Sequence, residues 1–123
     1  MLTPIAYGLA VVLVVLVTVV GLRFLLVPQA AAAAYGVPAV PNGDAAYLTI
    51  KGVRDLASGV MGGALLAFST SDAAGWYMLV VALAPLGDTV IVLRHGGSKA
   101  TAFGIHFATA VSVLISAALL FAV

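Results

Sequence analysis

The chain has 123 residues, 64% of them hydrophobic and 7% charged, with a net charge of +1. A soluble domain spends roughly 25% of its residues on charge, so this chain cannot cover a water-facing surface and reads as a single membrane-embedded domain. The absence of cysteine excludes disulfides, thiolate chemistry and Cys-based metal sites, and five basic residues beside apolar runs form no phosphate-tracking surface, so no nucleic-acid partner is expected.

Crossing a bilayer takes roughly 20 mostly apolar residues. The first stretch that qualifies runs about 4–27, with Thr3 as expected N-cap and Pro4 at the first helical position. It lacks a basic leader and a small-x-small cleavage site, so it is read as a retained helix rather than a secretory signal. The connector 28–44 holds an alanine run and then Pro38 and Pro41, which predicts a short interfacial helix followed by an irregular strap; a first helix kinked at Pro28 is the rival. The second span covers about 45–68, opened by Asn42-Gly43-Asp44, the third about 74–94 and the fourth about 99–123. Ser69 to Asp72 and Gly96-Gly97-Ser98 are tight connections that imply antiparallel neighbours, the second with Gly as helix stop and Ser98 as the next cap.

The predicted fold is therefore an all-α, integral membrane four-helix bundle occupying residues 1–123. All five Lys and Arg (Arg23, Lys51, Arg54, Arg94 and Lys99) fall on one face of it. By the positive-inside rule that face is cytoplasmic and both termini are non-cytoplasmic, in a multi-pass protein of the inner (plasma) membrane. Trp76, Tyr77 and Tyr7 are expected in the outer aromatic belt, and Tyr35 and Tyr47 near the inner one.

At about 1.5 Å per residue, Arg23 lies roughly 6 Å inside its span, Asp88 and His106 roughly 9 Å, and Arg54 and Asp55 roughly 14 Å. Ionisable groups at similar depth on every helix favour turning inward and pairing. Gly52, Asp55, Gly59 and Gly62 share one stripe of helix two, a face suited to close helix approach. Lys51 is placed to pair with Asp55 along the helix, and Arg54 to reach another helix. Pro85 removes a donor next to Asp88. Gly104, Ala108, Ser112 and Ser116 form a second small-residue stripe, with His106 and Thr109 on a neighbouring face. Gly59-x-x-x-Gly63 suits packing within the chain, and also a homodimer contact. Arg23, Arg94 and Lys99 suit simple snorkelling. A lone His106 makes no metal site.

The segments Gly21-Leu22-Arg23-Phe24-Leu25-Leu26-Val27-Pro28, Lys51-Gly52-Val53-Arg54-Asp55, Pro85-Leu86-Gly87-Asp88 and Leu93-Arg94-His95-Gly96-Gly97 resemble a family of small four-helix membrane proteins known as a domain of unknown function, similar in size and layout to DoxX-like proteins. The resemblance covers almost the whole chain. It implies the four-helix fold and Arg23, Lys51, Arg54, Asp55 and Asp88 as the family's polar set, and it implies no activity.

The functional expectation is a pocket for a small lipophilic molecule, opening toward the inner leaflet, with Asp88, Asp55 and His106 as candidate catalytic residues. Arg54, Lys51, Arg23 and Thr109 are candidate ligand-binding residues. Without a cofactor, which nothing in the sequence calls for, these side chains offer acid–base chemistry of the isomerase, cyclase or epoxide-opening kind. The alternatives are a proton-coupled transporter using Asp88 and a structural or accessory subunit whose ion pairs fix helix register.

Overall fold

The computed structural model describes residues 1–41 and 43–123. It is helical throughout, with no strand among the described residues. Five helices are present, the four long stretches and the short helix expected in the connector: α1 (Leu2–Leu26), α2 (Pro28–Tyr35), α3 (Ala45–Phe68), α4 (Ser71–Arg94) and α5 (Lys99–Phe121). The short one is α2, the connector helix. Val27 leaves helical geometry at φ −137°, and Pro28 starts the new helix at a position where its missing N–H costs nothing. Gly36, at φ 98°, ends it in the left-handed conformation that glycine tolerates. Residues 37–41 then run as an irregular strap, and the Asp44 carboxylate accepts from the Val40 N–H at 2.8 Å; of the expected Asn42-Gly43-Asp44 opening, Asn42 lies outside the described residues.

By length and composition α1, α4 and α5 are long and apolar enough to cross a membrane. The 24-residue α3 is long enough too but carries Lys51, Arg54 and Asp55. α1 begins at Leu2, so Thr3 lies inside the helix rather than capping it. Thr70 and Ser98 do cap, accepting from the Ala73 and Thr101 N–H groups at 3.1 Å.

Two irregularities shape the long helices. α4 is interrupted at Ala82, where Pro85 cannot donate to the carbonyl of Val81. Thr89 Oγ1 donates to the Pro85 carbonyl at 2.7 Å just beyond the break. α5 contains a π-helical segment, Ala102–Phe107, before it resumes as an α-helix at Ala108. The wider turn re-phases the helix. Its buried face runs through Ala102, His106, Ala110, Val113, Ala117 and Leu120. Of the small-residue stripe expected there, Gly104 and Ala108 are exposed, with nothing within 4 Å of a Cβ on Gly104, whereas Ser116 is fully buried.

α1 and α3 pack along their length through glycines. A Cβ at Gly21 would stand 2.6 Å from the Leu56 nitrogen, and one at Gly52 2.9 Å from the Gly21 oxygen. Gly59 faces Thr18, so the first glycine of Gly59-x-x-x-Gly63 is taken up inside the chain. At the end that carries the termini, α1, α4 and α5 close on one another through a core of Ala6, Ala10, Ala74, Met78, Ala82, Val113, Ala117 and Leu120. At the other end the second half of α4 packs on the π segment of α5, but neither packs substantially on α3 or α1. The two helix pairs thus diverge toward the end that holds Arg23, Lys51, Arg94 and Lys99, and α2 sits between them there. Around the girth the outer surface is aliphatic, with Val12, Val15, Val19, Val60 and Val80 all exposed.

Candidate functional site

The space between the diverging pairs is a cavity of about 980 Å³. Its deep wall is aliphatic, made by Leu13, Val14, Val17 and Val20 of α1, Met78 and Val81 of α4 and Val113 of α5. Every candidate catalytic or ligand-binding residue of the sequence analysis lines it: Arg23, Lys51, Arg54, Asp55, Asp88, His106 and Thr109. It opens sideways where Ile50, Arg54, Val80 and Leu83 are exposed, between α3 and α4.

Of the pairings their spacing suggested, one forms. Lys51 Nζ meets Asp55 Oδ2 at 2.5 Å, the one ion pair among the described residues, with side chains 30% and 24% exposed. Arg54, expected to hold a carboxylate from another helix, is instead exposed at the lateral opening and makes no ion pair. One turn separates Lys51 from Asp55 on the same face, whereas Arg54 points about a third of a turn away, toward the gap that α3 leaves with α4. Arg23 is also exposed, at the rim of the cavity. Thr109 turns its hydroxyl onto the Ile105 carbonyl at 2.6 Å, which satisfies a main-chain group of the π segment. Farther down, Tyr77 donates to the Ser58 carbonyl at 2.5 Å, and Ser58 Oγ donates in turn to the phenolic oxygen at 2.9 Å.

The residue that organises the cluster is Tyr35, expected from the sequence only near the inner aromatic belt. It is the last residue of α2, and Gly36 behind it fixes the direction in which the strap departs. Its hydroxyl donates to Asp88 Oδ2. Its main-chain carbonyl accepts from His106 Nε2 at 2.7 Å. Its ring lies 4.2 Å from the imidazole and 5.5 Å from Phe24, the latter edge-on. Lys51 Nζ stands 4.3 Å from the Tyr35 centroid and 4.4 Å from that of Phe24, close enough for cation–π attraction. Burial above all, then the neighbouring Asp88 and Asp55 carboxylates, push the Tyr35 phenol far above its ordinary range, so it stays a donor. The available signal was an alanine run ending in Tyr-Gly, a helix stop that presents an aromatic side chain.

Phe24, Tyr35, Lys51 and Asp88 also line a second, smaller cavity of about 200 Å³ with Val37, Leu48, Ile91 and Val92. These four side chains are therefore a partition, with the large cavity on one side and a small chamber toward the charged end on the other. No group of three or more His, Cys, Asp or Glu that could hold a metal exists among the described residues. What the arrangement offers is a large apolar volume whose polar end holds two carboxylates, an imidazole, a phenol and an ammonium.

The chain belongs to the family described as domain of unknown function DUF4267, which it matches over residues 5–120. No curated protein and no solved structure matches it.

Proposed function

We propose that this protein binds a small lipophilic molecule within the bilayer, with the aliphatic body in the large cavity and a polar group against the cluster around Tyr35. The observation that carries this reading is the cavity itself. At about 980 Å³ it has the size of a small-molecule site, and its apolar wall converges on few, well-placed polar groups. The lateral opening between α3 and α4 supplies a route from the lipid phase. In this reading all four long helices span the membrane. The three charges of α3 are tolerated because Lys51 and Asp55 pair while facing the cavity, and Arg54 reaches outward. The end bearing the basic residues is cytoplasmic and both termini lie outside.

Asp88, Asp55 and His106 give this site an acid–base repertoire. A carboxylate beside an apolar volume, a second one paired with Lys51 and a neighbouring imidazole suit proton transfers during isomerisation, ring closure or epoxide opening of a lipid-like substrate. Purification in mild detergent followed by mass spectrometry of co-purifying small lipophiles tests the reading. A discrete compound in the wild type that is lost or chemically altered in Asp88→Asn supports it. Nothing specific in either sample would remove the ligand and leave the cluster as ion pairs and hydrogen bonds that register the helices.

The two-chamber layout favours a second reading, proton-coupled transport. Tyr35, Phe24, Lys51 and Asp88 stand between the membrane cavity and the chamber near the charged end, where a gate would stand. Ligand-driven proton movement in liposomes supports this alternative, and a flat pH trace with a bound ligand present counts against it.

A further inference from the structure

The hydrogen bond between His106 and Tyr35 fixes more than the position of α2. A main-chain carbonyl can only accept, so the 2.7 Å contact places a proton on His106 Nε2. In the neutral ring the other nitrogen, Nδ1, is then a bare acceptor. Among the described residues it has no partner, yet Ser116 Oγ is the only fully enclosed side-chain polar atom there without one. Nδ1 therefore reaches open space. The residue is 3% exposed and lines the large cavity, so that space is the cavity.

The carboxylates of the cluster present the same face. Asp88 receives the Tyr35 hydroxyl on Oδ2, and Asp55 receives Lys51 on Oδ2. In each case Oδ1 has no partner among the described residues and is likewise not enclosed. The floor of the cavity thus ends in three acceptors. Its one nearby ammonium is committed to Asp55 and to the faces of Phe24 and Tyr35. Among the side chains lining the cavity the cations Arg23, Lys51 and Arg54 already outnumber the carboxylates Asp55 and Asp88. A cationic ligand would add to that excess. An anionic one would set its charge against the bare acceptors.

We infer that the cavity takes a neutral lipophile bearing a hydroxyl group, a lipid alcohol, whose O–H donates to His106 Nδ1, with Tyr35 as the positioning residue that holds the imidazole in this tautomer. The inference rests on the reading of the cavity as a lipophile site and gives that reading a ligand class.

The test uses the whole protein in mild detergent, carrying His95→Gln so that His106 is the sole imidazole, and labelled with ¹⁵N-histidine. The probes are hexadecan-1-ol, its methyl ether, hexadecane, hexadecanoic acid and hexadecylamine. The expected spectrum is that of a ring protonated at Nε2 and bare at Nδ1, and the alcohol alone of the series moves Nδ1. The alcohol binds about fivefold tighter than the ether, which keeps the oxygen and loses the donor. His106→Gln, which retains a donor for the Tyr35 carbonyl and lacks Nδ1, brings the alcohol down to the affinity of the ether. A proton on Nδ1, an acid or amine that binds tighter than the alcohol, or a preference for the alcohol that survives His106→Gln would overturn the inference. Equal binding of alcohol, ether and hexadecane would overturn it and leave the lipophile site standing. Binding by none of the five would remove both.

Discussion

Tyr35→Phe isolates one hydrogen bond in the cluster and leaves the packing in place. The Phe24 and His106 ring contacts and the Lys51 cation–π contact involve the ring, and phenylalanine keeps all three. What is lost is the hydroxyl donated to Asp88. A hydrogen bond to a charged group is worth about 1.5–3 kcal/mol. Because both partners are half-buried, the lower part of that range applies, about 2 kcal/mol. Tyr35→Ala additionally forfeits the ring contacts and opens space beneath α2, for a total of about 4 kcal/mol. The assay is reversible unfolding in mixed micelles, followed by helical circular dichroism, for Tyr35→Phe, Asp88→Ala and the double variant. The expected coupling between the two sites is about 1.5–2 kcal/mol. Losses that add to within about 0.3 kcal/mol would show that the hydroxyl and the carboxylate do not stabilise one another, and the anchoring of α2 through Asp88 would be refuted.

The α1–α3 seam predicts a sharp contrast between two glycines. Gly21→Ala drives a methyl into main-chain atoms of α3 and costs about 2–3 kcal/mol in the same unfolding assay. Gly87→Ala, with nothing within 4 Å, gains about 0.5–1 kcal/mol from reduced chain entropy; a neutral Gly21→Ala would mean the helices are not this close. Lys51→Met breaks the ion pair and both ring contacts and loses about 1–2 kcal/mol, most of which should vanish when Asp55→Asn is already present. Because the chain has no cysteine, single cysteines at Ser69 and Gly96 report sidedness cleanly in sealed cells. A membrane-impermeant maleimide is expected to label Ser69→Cys from outside and Gly96→Cys only after permeabilisation, and the reverse pattern would invert the proposed topology.

What could be read from the sequence was local. Lys51 and Asp55 find each other because four residues make about one helical turn. Gly52, Gly59 and Gly62 mark the α1 interface because only backbone without side chains lets two helices approach so closely. Pro85 breaks α4 for reasons contained in its own ring. Tyr35 was out of reach for the opposite reason. Its partners Asp88 and His106 are 53 and 71 residues away, and no periodicity connects an alanine-rich connector to them. The stripe expected on α5 failed at Gly104 and Ala108, though not at the buried Ser116, because it assumed an unbroken 3.6-residue repeat. The π segment at Ala102–Phe107 shifts the phase, exposing Gly104 and bringing His106 to the inside. Arg54 was expected to reach another helix, and the gap between α3 and α4, a tertiary feature, leaves it exposed instead.

The closed end of the bundle is made largely of alanines, and alanine has no rotamers to rearrange. The two helix pairs can consequently pivot there like the arms of a clothes-peg, with little repacking at the spring. Each arm is about 36 Å long, so a pivot of about 5° swings its far end by about 3 Å. The cavity therefore sits where leverage is greatest, and its width is set by an angle rather than by the side chains that line it. Relatives that differ only at the spring, by a larger residue at Ala10 or Ala117, would accommodate ligands of different girth while keeping identical walls.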